Sequence, residues 1–142
     1  MTIQSFLAVG DLHIQTSNLP EMKILRKGLF KIVKEQNPDM VVFLGDQLHT
    51  NSKIHVEPLK FASELFIDIV NEFSDLEVVV LIGNHERINN QDFCTDIHPF
   101  VGLCRQKIPR LTIVSSTIKK DDMVFVPYVP PGMFKKALGK IK

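Results

Sequence analysis

Three parts of the sequence share one pattern, in which a run of apolar residues is followed at once by glycine and then by a polar side chain. The runs are residues 6–9 before Gly10-Asp11-Leu12-His13, residues 40–44 before Gly45-Asp46-Gln47-Leu48-His49, and residues 78–82 before Gly83-Asn84-His85-Glu86. The runs are short and rich in β-branched residues, and they do not alternate with polar positions. They predict buried strands that are covered on both faces.

Helical periodicity fills the intervals between these runs. Residues 19–36 carry apolar side chains at helical spacing, with Pro20 in the first turn, and residues 57–73 show the same spacing. We therefore predict strands over residues 3–9, 40–44 and 77–82, separated by one helix each. Consecutive strands joined by a helix are parallel, so the pattern predicts a βαβαβ core.

The remainder of the chain predicts smaller elements. Residues 99–106 favour a short helix, and residues 133–142 favour the start of another. Residues 111–117 and 123–128 are predicted as two strands of a hairpin whose turn lies at 119–122. The predicted fold class is α/β, with residues 1–142 forming one domain that has a parallel core followed by a β-hairpin.

Composition narrows the classes of function only slightly. Lys and Arg number 17 against 16 Asp and Glu, which is not the balance of a strongly basic nucleic-acid-binding module. No apolar run approaches the roughly 20 residues of a membrane span, and the N-terminus lacks the features of a signal peptide. Cys94 and Cys104 are not arranged as a metal-binding pair, so we expect reduced thiols and a cytoplasmic location.

The polar residues after the three strands are the candidates for chemistry. Loops at the carboxyl ends of parallel strands meet at one edge of the sheet, where ligands bind. Asp11 and His13 are separated by one residue, which in an extended segment directs both side chains the same way. Together with Asp46 and Asn84 they offer oxygen and imidazole ligands, which suit Mn²⁺, Fe or Zn²⁺ and differ from the thiolates of a structural zinc site.

Simpler interpretations apply to single members of this set. A lone Gly-Asp after a strand is common turn chemistry, whereas three such loops in order are not. His49 is a candidate either for orienting the Asp46 loop by a hydrogen bond or for contacting substrate. Glu86 is a candidate for supporting the ligands without binding the metal. His55 and His98 are expected to be surface or packing residues.

Together the motifs resemble the first three motifs of the calcineurin-like metallophosphoesterases, over roughly residues 3–90. Within that superfamily the chain is most similar to the SbcD-type nuclease subunits of double-strand-break repair complexes and their viral relatives. That finer resemblance rests on the short first loop, on His49 after the second motif, and on Val126-Pro127-Tyr128-Val129. Glu86 stands where Asp is more usual.

The resemblance implies a fold, a site and a reaction. The fold would be the N-terminal part of an αββα sandwich. Asp11 and His13 would hold one metal, Asp46 would bridge two, and Asn84 would bind the second. The two divalent ions, most often Mn with Fe or Zn as alternatives, would activate water, and His85 would stabilise or protonate the leaving oxygen. His85 and Asp46 are thus the implied catalytic residues.

The chain departs from the family pattern after His98, its last histidine. Family members carry a later single histidine and a His-x-His motif, so the resemblance implies a domain that is incomplete at its C-terminus. Three functions stay open: a DNA nuclease, a nucleotide or small phosphodiester hydrolase, or an inactive module that binds nucleic acid or a partner protein. A missing C-terminal segment or an ATPase subunit is the expected partner, and the half-built second sheet predicts an oligomer.

Overall fold

A computed structural model describes residues 3–50, 53–139 and 141. Its centre is a sheet of four parallel strands in the order β1-β2-β3-β4. The strands are β1 (Phe6–Val9), β2 (Met40–Phe43), β3 (Glu77–Leu81) and β4 (Leu111–Val114). The helices that connect them are α1 (Leu19–Gln36), α2 (Val56–Glu72) and α3 (Val101–Gln106). Because all four strands are parallel, their carboxyl ends lie at one edge, as predicted for the first three.

The long helices begin and end close to the predicted residues. In α1, Pro20 occupies the first turn, and the helix ends where Asn37 adopts a left-handed conformation with φ of 45°. The N–H of Asn37 donates to the carbonyl oxygen of Val33 at 2.8 Å, which satisfies one carbonyl of the last turn. Pro38 follows and cannot continue the helix.

The two faces of the sheet are covered differently. On one face, Val41, Phe43, Val78 and Val80 pack against α1 and α2 in a large apolar core. The second face has a smaller core, and among the residues that the structure describes Phe125 is its one buried residue that does not belong to the parallel sheet. Its members are Met40, Val42, Val79, Val114 and Phe125.

Phe125 belongs to a β-hairpin of β5 (Ile118–Lys120) and β6 (Met123–Phe125). The prediction of an α/β fold with a parallel core and a hairpin is confirmed, but the predicted partners within the hairpin were wrong. Residues 111–114 pair with β3 as a fourth parallel strand, and the turn is Asp121-Asp122, where Asp121 has φ of 52°. An apolar run predicts a strand without specifying its partner, which explains the error.

The prediction that β1 is buried on both faces was also wrong. Phe6 is 59% exposed, and Ala8, which points to the same face, is exposed as well. The strand begins at Phe6 rather than at residue 3 and pairs with β2 only. As an edge strand it receives less cover than β2 and β3.

The C-terminal part ends in a short helix, α4 (Phe134–Leu138). Residues 140 and 142, which the sequence placed in the same helix, lie outside the described residues. Cys94 and Cys104 are both free thiols. Among the described helices, none combines the length and apolar character needed to cross a membrane.

Candidate metal centre

Three loops leave the carboxyl ends of β1, β2 and β3. They are the first loop (residues 10–14), the second loop (45–49) and the third loop (83–86). Asp11, His13 and Asp46 have left-handed backbones, with φ of 50°, 44° and 51°. Such conformations are uncommon for residues other than glycine and concentrate at functional sites.

This geometry corrects the prediction of an extended segment at Asp11 and His13. Leu12, between them, and Ile14, after them, are buried, whereas Asp11 is exposed and His13 is partly exposed. The apolar side chains anchor the first loop in the core and leave the polar ones at the edge of the sheet.

Hydrogen bonds hold the first loop beside the second. The N–H of His13 donates to the carbonyl oxygen of Asp46 at 3.0 Å, and that of Ile14 donates to Gln47 at 2.8 Å. In return, the N–H of His49 donates to the carbonyl oxygen of Ile14 at 3.2 Å. The two loops thus continue the parallel pairing of β1 and β2 for a few residues.

Asp11, His13 and Asp46 together form a group that fits a divalent metal. One ligand atom from each residue lies within 4.8 Å of the others. The Nδ1 atom of His13 is buried and has no hydrogen-bond partner among the described residues. A buried nitrogen without a partner is costly in a finished site, and two carboxylates beside one imidazole match the preferences of Mn²⁺, Fe and Zn²⁺.

Asn84 approaches the same group from the third loop. Its side-chain amide lies 3.0 and 3.1 Å from the two carboxylate oxygens of Asp46, and its other end lies 3.1 Å from Oδ1 of Asn90. With its nitrogen toward Asp46, the amide donates hydrogen bonds. With its nitrogen toward Asn90, three oxygens converge, and a shared cation would relieve their repulsion.

Two glycines allow the second and third loops to come this close. A Cβ atom on Gly83 would collide with the backbone nitrogen and Oδ1 of Asp46. Gly45 has φ of 103°, and a Cβ there would lie 3.0 Å from the Cα of Gly83. Close approach, rather than a sharp turn alone, explains Gly83.

His85 is held in a defined orientation at the same edge. Its backbone N–H donates to Oδ1 of Asp46 at 3.1 Å, and its ring Nδ1 lies 2.5 Å from the backbone carbonyl oxygen of His49. A carbonyl can only accept, so Nδ1 carries the proton and Nε2 is left without one in the neutral ring.

His49 contributes to the centre through both its backbone and its ring. The backbone carbonyl orients His85, whereas the exposed imidazole lies 5.6 Å from the ring of His13 and 6.1 Å from that of His85, measured between centroids. The rings of His13 and His85 are 4.8 Å apart. Three imidazoles therefore lie close to one another at this edge of the sheet.

Glu86 lies behind this edge and is 2% exposed. Its Oε2 accepts from the N–H groups of Gly83 at 2.8 Å and Asp46 at 3.0 Å, and its Oε1 accepts from that of Leu48 at 2.8 Å. Burial raises the pKa of Glu86 to about 7, while these N–H groups act in the opposite direction. The carboxylate joins the second and third loops without belonging to the metal-binding group.

Sequence reasoning missed other residues that support the site. Gln47 is fully buried and donates from Nε2 to the carbonyl oxygen of Leu81 at 3.1 Å. Asn90 contacts the amide of Asn84, and its carbonyl accepts from the hydroxyl of Tyr128 at 3.0 Å. Gln47 and Tyr128 stood among the residues that carried the resemblance, but neither had been given a role. Asn90 carried no signal, because polar loop residues have no periodicity that identifies their contacts.

The two remaining histidines do not belong to the metal-binding group. His55 is exposed and directly precedes α2. His98 is buried, and its Nδ1 accepts from the N–H of Phe100 at 3.2 Å. Burial lowers the pKa of His98 to about 4, so its ring is neutral at pH 7.

The chain is similar in sequence to proteins that are named as phosphoesterases. Two viral proteins named as phosphoesterases are each 32% identical to it: 244L of Invertebrate iridescent virus 6 over 139 residues and 078R of Invertebrate iridescent virus 3 over 136 residues. These matches cover 95% and 94% of the chain but only 47% and 38% of the viral proteins. The chain thus spans less than half the length of either relative.

A solved structure and a family model also match. The crystal structure of Pseudomonas putida nuclease MPE aligns with 89% of this chain and 50% of that one, with 18% identity and a TM-score of 0.48. The model of the calcineurin-like phosphoesterase family matches residues 5–133, nearly the whole sequence. The chain therefore belongs to the calcineurin-like phosphoesterase family.

Proposed function

We propose that this chain supplies the metal-binding part of an enzyme that hydrolyses phosphoester bonds in DNA. The observation that carries the proposal is the convergence of Asp11, His13 and Asp46, with Asn84 beside them, at one edge of the sheet. Family membership gives the reaction class. The resemblance of the motifs to SbcD-type nucleases is what supports DNA as the proposed substrate.

The residues divide into two sets of ligands that share Asp46. Asp11, His13 and Asp46 would hold one divalent ion, and Asn84 would hold a second together with Asp46. Mn²⁺ is the proposed metal because the family resemblance implies it, and a set of carboxylates, an amide and an imidazole suits this ion. When bound, such ions supply a nucleophile from water at neutral pH and polarise the phosphoryl group.

His85 is proposed to act on the leaving oxygen. The carbonyl of His49 occupies its Nδ1–H, so Nε2 is the atom that is available to a substrate. A proton on Nε2 makes the ring an imidazolium, which can stabilise or protonate the oxygen as it departs. The bond from the backbone N–H of His85 to Oδ1 of Asp46 holds the backbone of His85 beside the proposed metal ligands.

A substrate panel with Mn²⁺ tests the proposal on the chain together with the C-terminal segment or partner subunit that we expect to complete the site. We expect faster hydrolysis of DNA than of a mononucleotide or an aryl phosphate, and weaker DNA binding as salt rises, because phosphate contacts release counterions. Cleavage of a small phosphodiester without cleavage of DNA would favour the alternative hydrolase. Binding of DNA without hydrolysis of any substrate would favour the inactive module.

Matched variants in the same assay separate the roles of the residues. Asp46→Asn is expected to lower both metal content and activity, because it removes the shared ligand. His85→Ala should keep the metal and lose about 10²–10⁴ in rate, the usual contribution of a positioned acid. His55→Ala, at an exposed histidine outside the group, is the control and should behave like the wild type. A metal-free His85→Ala protein would contradict the role given to His85.

A further inference from the structure

The buried carboxylate of Glu86 connects two loops that carry proposed metal ligands. It accepts three backbone hydrogen bonds, one from the third loop at Gly83 and two from the second loop at Asp46 and Leu48, all between 2.8 and 3.0 Å. The side chain that makes these bonds is itself part of the third loop. One residue therefore fixes the spacing between the two loops.

Two of the three N–H groups lie at or next to the proposed ligands. One belongs to Asp46 itself, and that of Gly83 directly precedes Asn84. Among the described residues, the backbone hydrogen bonds of turns and loops include none that is donated by these three N–H groups. Because buried N–H groups need acceptors, Glu86 is what satisfies this part of the backbone.

We propose that Glu86 is a positioning residue for the metal centre, acting through Asp46 and Asn84 without contacting the metal. This inference rests on the proposed metal site. Residues that hold ligands in place change metal affinity by about 10–100-fold when they are altered. Glu86 therefore controls metal affinity through the geometry of the loops.

The role requires a carboxylate rather than any polar side chain of this size. Both oxygens of Glu86 are used, Oε2 twice and Oε1 once. In Glu86→Gln one of these oxygens becomes an NH₂ group, which would face a backbone N–H and leave it without an acceptor. Glu86→Asp keeps the two oxygens on a shorter side chain and should retain part of the function.

Asp39 provides a control at the opposite end of the sheet. Its Oδ2 accepts from the backbone N–H groups of Gln4 and Ser5 at 2.8 and 2.9 Å, which joins the segment before β1 to the start of β2. Asp39→Asn thus weakens the same kind of contact far along the strands from the metal ligands. Any general loss of stability affects both variants, whereas a loss of positioning affects only the Glu86 variants.

Amide hydrogen exchange by NMR on the metal-free wild type is the first measurement. We expect slow exchange of the N–H groups of Gly83, Asp46 and Leu48, although they lie in loops. This result does not depend on any metal or on a variant that folds. Fast exchange at all three positions would overturn the inference, even if the protein binds metal and hydrolyses DNA.

Calorimetric titration with Mn²⁺ is the second measurement, with thermal unfolding of each metal-free variant beside it. We expect at least tenfold weaker binding in Glu86→Gln, an intermediate loss in Glu86→Asp, and binding within about threefold of the wild type in Asp39→Asn. Equal affinity in Glu86→Gln and wild type, or an equal loss in Asp39→Asn, would overturn the inference. A wild type that binds no Mn²⁺ would instead overturn the proposed metal site.

Discussion

Asp11, His13 and Asp46 hold backbone conformations that cost free energy. A left-handed residue other than glycine is disfavoured by roughly 1 kcal/mol or more, and three of them occur in two adjacent loops. The burial of Leu12 and the hydrogen bonds between the first and second loops offset this cost. We infer that the surrounding fold holds these three side chains in place before any metal binds.

Gly83→Ala tests how closely the loops must approach. The added methyl group would collide with Asp46, so we expect a loss of about 1–3 kcal/mol in the free energy of unfolding, together with weaker Mn²⁺ binding. Thermal unfolding and calorimetry provide the two readouts.

Gly28→Ala is the matched control for that change. Gly28 lies in α1 with no atom within 4 Å of the added Cβ, so alanine there should stabilise the protein by about 0.5–1 kcal/mol and leave Mn²⁺ binding unchanged. If Gly83→Ala bound Mn²⁺ as tightly as Gly28→Ala, the contact between Gly83 and Asp46 would not matter for the site.

At the scale of elements, local periodicity predicted the helices and the first three strands well. Proline, the polar loops and the spacing of apolar residues mark α1 and α2, and these are local signals. The partner of β4 and the exposure of β1 depend on which strand lies beside which, and no local pattern contains that information. The order of strands and loops was enough to predict that Asp11, His13, Asp46 and Asn84 lie at one edge of the sheet. The contacts of Gln47 and Asn90 were not predicted, because no local pattern specifies them.

Phe125→Ala tests whether the hairpin is an integral part of the fold. Phe125 is 7% exposed and packs on the second face of the parallel sheet, so we expect a loss of about 3 kcal/mol in the free energy of unfolding. Val124→Ala, at the neighbouring residue that is 45% exposed, should cost less than about 1 kcal/mol. Equal costs for the two variants in denaturant unfolding would mean that the hairpin does not pack as described.

At the scale of the whole molecule, the two faces of the parallel sheet are not equally shielded from solvent. The long helices protect one face of the sheet, and on the other face the hairpin protects the central strands but leaves Phe6 of β1 exposed. An exposed edge strand with apolar side chains favours association. The oligomer that the sequence suggested stays a prediction, as do the ATPase subunit and a C-terminal segment as partners.

The number of ligands that these 142 residues supply predicts how many metal ions they bind. Asp11, His13 and Asp46 would give one ion three protein ligands, which is enough for an open catalytic site. A second ion would receive only Asn84 and the shared Asp46 from the described residues. We therefore expect one tightly bound ion per chain and little or no phosphoesterase activity from this chain alone.

Calorimetric titration of the 142-residue chain with Mn²⁺ tests the central claim most directly, because it measures the site without requiring catalysis. We expect the loops after β1 and β2 to bind one equivalent of Mn²⁺. Asp46→Asn is expected to abolish that binding or weaken it at least tenfold. The claim would be contradicted by a wild type that binds no Mn²⁺, or by an Asp46→Asn variant that binds it equally well. Two tightly bound equivalents would contradict the stoichiometry.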